Sequence, residues 1–423
     1  MDVRFLGGAN GIGRSALLVN DSLLIDYGLE GGTPARTPPD VEPDAVVVSH
    51  AHLDHVGAVP SLLKGGRRPS VHWTPPTREL ADLLARDTLK LQADRYDRPF
   101  TRAEIGALGE VSQTHAYGVP FEAAGHTVTL FDAGHIPGSA HVLVDESGRS
   151  PDGSRTQSGD DDTRLLYTGD FHTEGQRLLS GSTARPDADV VVCESTYADV
   201  SRGRRRETER RFARELRETV HRGGTVVVPA FAVGRTQEAM LVCAAHDIDC
   251  YVDGMGVDVA KRLRGVDGFL RDPEAFRAAM GNARFVTGGR GQKKRIAEQN
   301  AVVITTSGML TGGPAMTYVP AIRGDPTNLV AFVGHQVPGT PGYDLLERGR
   351  AEFDGRTLPI AARTASFDFS AHADRDGLRS FLDAYRDARV FAVHGDATGR
   401  FAADLRADGY DATAPDTGET HTI

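Results

Sequence analysis

The sequence predicts a mixed α/β protein with sheets packed between helices, and three observations carry that prediction. Short valine-rich apolar runs recur along the chain, each too brief for a helix. Helical patterns with a four-residue period lie between some of them. A β-hairpin precedes the alternation.

Taken in order, Met1 to Leu6 reads as a strand from the outset and carries no signal peptide. Gly8, Gly11 and Gly13 follow it. A dinucleotide-binding loop with these glycines would lead into a helix, but Ser15–Val19 is strand-like, so a tight turn is the expectation. Ser15–Val19 and Leu23–Tyr27, joined by Asn20 and Asp21, form the hairpin. Buried strands are expected at Val46–Val48, Val128–Phe131, Leu165–Tyr167, Val190–Cys193, Val226–Val228, Val302–Ile304 and Val390–Val393. In Glu207–Val220 the residues Phe212, Leu216 and Val220 recur every fourth position, and Gly223 and Gly224 stop the helix. Arg202–Arg206 opens that surface helix, with Glu207 and Arg211 as an i,i+4 pair, rather than forming an RNA patch. Arg290–Arg295, with Lys293 and Lys294, follows Gly288 and Gly289 and reads as a loop available to phosphate. Glu146–Thr163, rich in Ser, Gly and Asp, reads as a flexible hairpin loop.

With 423 residues the chain exceeds one ordinary core, and two domains are expected. A net charge of −10 speaks against a passive nucleic-acid binder but not against an enzyme that meets phosphates with metals and local arginines. Only five of the 48 basic residues are lysines, which with the Asp-rich composition points to a salt-adapted source. Cys193, Cys243 and Cys250 are scattered and never paired as C-x-x-C, so they read as buried apolar fillers in a reducing compartment. No run of about twenty apolar residues exists, and the cytoplasm is the expected location.

The chemistry lies at the ends of the strands. Val46–Val48 runs into His50, His52, Asp54 and His55; Val128–Phe131 leads to His135; Leu165–Tyr167 to Asp170; Val190–Cys193 to Glu194; Val390–Val393 to His394. In α/β sheets the carboxyl ends of strands are where sites are built. His-x-His-x-Asp-His offers four ligands within a span too short to wrap one tetrahedral ion, so two adjacent ions are the natural solution. Imidazole and carboxylate suit Zn²⁺, and also Mn²⁺, Fe²⁺ or Co²⁺. Any one of the histidines alone would more often be a surface or core residue. His72, His115, His126, His141, His172, His221, His246, His335 and His421 stay in that class.

The order of these residues resembles the metallo-β-lactamase superfamily. The chain is similar to its β-CASP nucleases, especially archaeal relatives of the endonuclease subunit of the cleavage and polyadenylation specificity factor. The resemblance rests on Ser49–Gly57, Gly134–Ser139, Tyr167–Phe171, Cys193–Tyr197 (motif A), Ser370–Asp374 (motif B) and Val393–Gly395 (motif C). Pro229–Glu238 and Thr306–Leu310 match landmarks inside the β-CASP domain. The implied fold is an αββα sandwich at residues 1–200 and 365–423, interrupted by an α/β β-CASP cap at 201–364.

The resemblance implies two zinc ions sharing an activated water. His50, His52 and His135 would hold one, Asp54, His55 and His394 the other, and Asp170 would bridge them. Asp54 would also belong to the catalytic set. His372 would be the general acid that protonates the departing 3′-oxygen, with Glu194 orienting it, and Ser370 would hold a phosphate oxygen. A histidine in motif C marks the RNA branch, where the DNA branch tends to an aliphatic residue. The implied activity is a zinc-dependent ribonuclease, endonucleolytic or 5′→3′ exonucleolytic, in RNA 3′-end processing or decay. A small-molecule hydrolase of the superfamily would lack Glu194, His372 and His394 as a set, and an inactive scaffold subunit would have lost ligands. Some archaeal relatives begin with KH-type RNA-binding modules. This sequence begins at the first strand, so RNA is expected to enter a cleft between the domains, and assembly as a homodimer or within an RNA-processing complex stays open.

Overall fold

The computed structural model describes residues 1–31, 35–92, 98–146 and 163–423. They form two compact units. One comprises Met1–Gly175, Gly181–Arg202 and His372–Ile423; the other comprises Gln176–Ser180 and Gly203–Ala371.

Each valine-rich run becomes a strand. In the first unit, among the described residues, two seven-stranded sheets are present. One starts at the C-terminal strand Thr420–Thr422 and continues through Asp2–Gly7, Ala16–Val19, Leu23–Ile25, Ala45–Val47, Ser70–Trp73 and Ser112–Thr114. The other orders Asp411–Thr413, Arg389–Val393, Val190–Glu194, Arg164–Tyr167, Ala140–Asp145, His126–Asp132 and Phe121–Ala123. The hairpin turn at Asn20 and Asp21 has φ of 46° and 52°, the doubly left-handed geometry that matches the twist of paired strands.

Alternation along the strands explains why the runs are apolar on both faces. Val190 and Val192 pack with Val47, Leu17 and Ile25 of the facing sheet. Val191 and Cys193, pointing the other way, pack with Leu378, Phe381 and Phe401 of the helices Arg375–Leu382 and Thr398–Ala407. The first sheet is covered likewise by the segments Val59–Gly66, Pro75–Leu91 and Arg102–Val111. The layers are therefore helix, sheet, sheet, helix, as the sequence implied. All three cysteines are buried free thiols.

The second unit is a parallel sheet of strands Ala283–Phe285, Cys250–Asp253, Val302–Thr305, Val226–Pro229, Leu329–Phe332 and Arg363–Ser366. Its connecting helices include Arg205–His221, as the period of four required. Two sequence expectations fail here. Arg290–Arg295 is a helix, Arg290–Ala297, because Ile296 and Ala297 bury against Val286 and Val303; Lys293 sits on Asp253 at 2.6 Å. Arg211 does not reach Glu207; it lies over the Phe367 ring at 4.5 Å and donates to the Ser366 carbonyl. Glu146 and Thr163 are joined by a backbone hydrogen bond of 3.2 Å, and the residues between them lie outside the described ones.

The Pro229–Glu238 landmark supplies this unit with a buried anion. Glu238 is wholly buried and accepts from the amides of Arg177 (3.1 Å) and Leu178 (2.8 Å) and from Arg205 at 2.7 Å. Burial alone would raise its carboxyl, but Arg205, Arg235 and the two amides outweigh burial and hold it below the ordinary range. A depressed carboxylate contributes stability above its unfolded pKa and loses it as pH falls through the folded value. Glu238→Gln is expected to cost about 2 kcal/mol at neutral pH, since Arg205 loses its 2.7 Å partner and keeps only Glu209 at 3.7 Å. The gap to the wild type should begin to narrow as pH falls below the unfolded carboxyl range of about 4.3; thermal melts at pH 7 and pH 3.5 with equal gaps would contradict this.

Candidate metal centre

The site is built where strands of both sheets of the first unit end. Val47 is followed by the turn that carries His50 and His52 and by a short helix, Leu53–Val56, that carries Asp54 and His55. Asp170 follows Gly169, whose φ is +52°; a Cβ there would meet the Ser49 side chain at 2.9 Å, so glycine lets the two loops close on each other. His394 itself has φ of +51°, a strained position for a side-chain residue, and its amide is held by the Gly8 carbonyl at 2.8 Å. The next residue must be glycine, because a Cβ at Gly395 would fall 2.5 Å from the Ser195 carbonyl oxygen.

All seven expected ligands converge. Ligand atoms of His50, His52, His135 and Asp170 lie within 4.8 Å of one another, and so do those of Asp54, His55 and His394. In the first group His135 Nε2 is 3.0 Å from His52 Nδ1, and Asp170 Oδ2 is 3.5 Å from His50 Nε2. In the second, His394 Nε2 is 3.3 Å from both His55 Nε2 and Asp54 Oδ2. Asp170 faces both groups: Oδ2 toward His50 and His135, Oδ1 toward His55 at 3.4 Å and His394 at 3.2 Å.

These spacings fit metal ions. Donors about 2.0–2.1 Å from a tetrahedral ion are separated by about 3.3 Å along each edge. Protein hydrogen bonding does not account for the arrangement, because His50 Nε2 and Asp170 Oδ1 are buried with no hydrogen-bond partner. In the first group the protonation states agree with metal binding. Burial, aided by His55, drives His50 well below its ordinary value, and burial holds His52 down at about 4, so both are neutral imidazoles with a lone pair to give. Burial opposes charge on His55 and His394, yet Asp170, with Asp26 beside His55 and Asp54 beside His394, raises both. Burial likewise opposes ionisation of Asp170 and Asp54, but the surrounding histidines hold both carboxyls below the ordinary range. Five imidazoles and two carboxylates at these distances form a donor set suited to metal cations.

Sequence reasoning missed Asp26, which was absorbed into the hairpin arm. It is completely buried, and its Oδ2 lies 2.7 Å from His55 Nδ1 and accepts from Ser49 Oγ (2.7 Å) and Tyr167 Oη (3.1 Å). Fixing Nδ1 turns the His55 Nε2 lone pair inward, the carboxylate–histidine support common at metal sites. The rule that picks polar residues at strand ends also picks Asp26, one position beyond strand Leu23–Ile25. Asp26→Asn is expected to weaken metal binding about 10- to 100-fold with the fold intact. Metal competition against a chromogenic chelator checks this, and unchanged affinity would remove Asp26 from the site.

Beside the cluster stands the pair named by motifs A and B. Tyr197 bridges to Asp374 in parallel pairing, which brings the two motifs together. His372 Nδ1 lies 3.1 Å from both Glu194 oxygens, and its ring is 4.5 Å from that of His135. Glu194 is buried and fixed by the amides of Phe171 (2.8 Å) and Thr196 (3.4 Å). Arg202 holds the loop from behind, donating to the His372 carbonyl at 2.9 Å and, through its amide, to Asp374 at 2.8 Å. Ser370 belongs to the second unit, where its amide donates to Asp368 Oδ1 at 2.9 Å. Of the histidines set aside, none enters a ligand group among the described residues. His141 is held by the Thr168 carbonyl and Ser182, and His72 by His115 and Ser70.

Three family models match the chain: the metallo-β-lactamase superfamily at residues 11–218, the β-CASP domain at 238–345, and the Zn-dependent metallo-hydrolase RNA specificity domain at 357–415. The RNase aCSPSF2 of Saccharolobus solfataricus is 33% identical over 408 residues, covering 93% of this chain and 79% of that protein. The chain belongs to the β-CASP family of the metallo-β-lactamase superfamily. Other similar β-CASP proteins come from Methanocaldococcus jannaschii. Its probable RNase MJ4 is 29% identical with 99% of each chain covered. Its transcription termination factor FttA is 31% identical, covering 93% of this chain and 67% of that protein. A solved structure of a protein of unknown function from Enterococcus faecalis shares the fold at TM-score 0.61 and 13% identity, covering 100% of this chain and 99% of that one. Membership makes the enzyme a metal-dependent hydrolase and gives the His/Asp cluster its role in metal binding. Among the described residues no helix is long and apolar enough to cross a membrane.

Proposed function

We propose that this β-CASP enzyme is a ribonuclease that uses two zinc ions to hydrolyse RNA phosphodiester bonds. His50, His52 and His135 would hold one ion, Asp54, His55 and His394 the other, and Asp170 would serve both. When bound, two such ions supply an activated water and neutralise the charge that builds on phosphate. The observation that carries the nuclease reading is the His372–Glu194 pair at the rim of the cluster, with His372 Nδ1 4.0 Å from Asp170 Oδ2. An alkoxide such as the ribose 3′-oxygen is a poor leaving group and needs a proton, and an imidazole anchored by a buried carboxylate is built to give one. Ser370 is assigned the holding of a phosphate oxygen.

The test is digestion of one RNA labelled at either end, in 5′-monophosphate and 5′-triphosphate forms, with zinc present and after chelation. Internal fragments identify an endonuclease; mononucleotides released only from the monophosphate form identify a 5′→3′ exonuclease. No cleavage with zinc or manganese would sink the proposal.

A further inference from the structure

The exposed face of the Arg205–His221 helix carries a charge pattern unlike the rest of this acidic chain. At 3.6 residues per turn, Arg206, Arg210, Arg214, Arg217 and His221 fall within one sector of about 80°, which contains no carboxylate. All five are exposed. The side chains of Arg206, Arg210 and Arg214 make no hydrogen bond or ion pair among the described residues, while Arg217 donates to the His246 carbonyl. The helix's other acids are spoken for or turned aside. Glu209 lies beneath Arg177, Glu215 pairs with Arg363, Glu218 with Arg222, and Glu207 flanks the sector. In a chain with 58 acidic and 48 basic residues, such a row is not the average surface.

The row runs into a groove of about 1000 Å³ in the same unit, which Arg217 and His221 help to line. Its lining includes Tyr251, with the Arg284 guanidinium 5.8 Å from the ring centre and Gln299 at its hydroxyl, 3.4 Å away. Asp247 and Asp249 stand on the rim, the latter 4.0 Å from Arg284. Carboxylates there repel phosphate but accept hydrogen bonds from base amino groups. The groove therefore suits an uncharged base stacked on an aromatic ring, and the arginine row suits the backbone leading to it.

We infer that this helix and groove, both within the second unit, form a track for single-stranded RNA. The inference rests on the RNA substrate proposed above. Successive arginines four residues apart rise about 6 Å along the helix, close to the length of one nucleotide of extended backbone. The track gives an enzyme of net charge −10 a local handle on a polyanion.

Binding is measured by fluorescence anisotropy of a labelled single-stranded RNA of about 20 nucleotides, using the full zinc-loaded chain carrying His372→Ala, over a range of salt. Replacing Arg206, Arg210 and Arg214 together by alanine should weaken binding about tenfold or more and lower the salt slope by about 2, at roughly 0.7 per single-strand phosphate. The triple lysine variant should keep the slope. Tyr251→Ala should weaken binding about tenfold with the slope unchanged. With His372 intact, the triple alanine variant should cleave an RNA of about six nucleotides like the wild type and lose rate only on the long one. Unchanged affinity and slope, or equal losses on both RNAs, overturns the track. A variant that keeps RNA binding but loses a protein partner also overturns it. Salt-sensitive, arginine-dependent RNA binding without any cleavage would leave the track standing and remove the ribonuclease reading instead.

Discussion

Replacing His372 by alanine lowers RNA cleavage by about a hundred- to ten-thousandfold, the contribution of a positioned general acid, while bound zinc stays at the wild-type level. The geometry separates these effects. His372 is outside both compact ligand groups, so its loss removes no donor from them. Its Nδ1 is committed to Glu194, whose two oxygens lie at equal distances of 3.1 Å. The proton that can be transferred therefore sits on Nε2. Glu194→Gln keeps the shape of that anchor and removes its charge, so a smaller loss in the same direction is expected. A purely structural role for His372 predicts something different. A diester with a nitrophenolate leaving group departs without a proton, so the alanine variant should keep nearly full activity on it. Equal losses on RNA and on the activated diester would show that the imidazole only props up the loop. Zinc content measured on the same samples closes the remaining route, because depletion would place His372 among the ligands.

What the sequence made legible was chemistry read at strand ends, and what it hid was contact across the fold. His50, His135, Asp170 and His394 could each be marked because a short apolar run stops just before them. Nothing in their spacing says that Asp170 turns one oxygen to His50 and the other to His55; that follows from strands 45–47 and 164–167 facing each other from the two sheets, so that the loops at Ser49 and Gly169 close together. Asp26 escaped because its apolar run was read as one arm of a hairpin ending at Tyr27, whereas the strand stops at Ile25 and Asp26 turns into a left-handed conformation at φ of 59°. The Arg290–Ala297 helix escaped for the opposite reason. Gly288 and Gly289 are strong breakers in a sequence reading, yet Gly289 here stands just before the helix, which burial of Ile296 and Ala297 then holds in place. For Glu207 and Arg211 the local pairing rule lost to the Phe367 ring and the Ser366 carbonyl, a competition only tertiary structure reveals.

Asp170→Asn should abolish metal binding at both groups and lower activity by about a thousandfold or more, the largest effect expected from one carboxylate. On the proposed reading, two divalent cations would bring four positive charges into a buried cluster, against which the proposed ligand set offers two carboxylates, Asp54 and Asp170. The three histidines of the first group, His50, His52 and His135, contribute no charge, so Asp170 is the compensation nearest to them. The amide removes that charge and halves what the ligand set provides. It also presents an NH₂ where an oxygen now faces either His50 or His394, and a donor cannot bind a cation. The contrast with Asp26→Asn makes the prediction sharp. Asp26 touches a ligand without being one, so excess zinc should restore activity to its variant by mass action. Asp170 supplies donor atoms to both groups, so no zinc concentration should restore the second variant while its circular dichroism stays native. Rescue of Asp170→Asn by added zinc would mean that each group closes around its ion alone, and Asp170 would lose its place as the bridge.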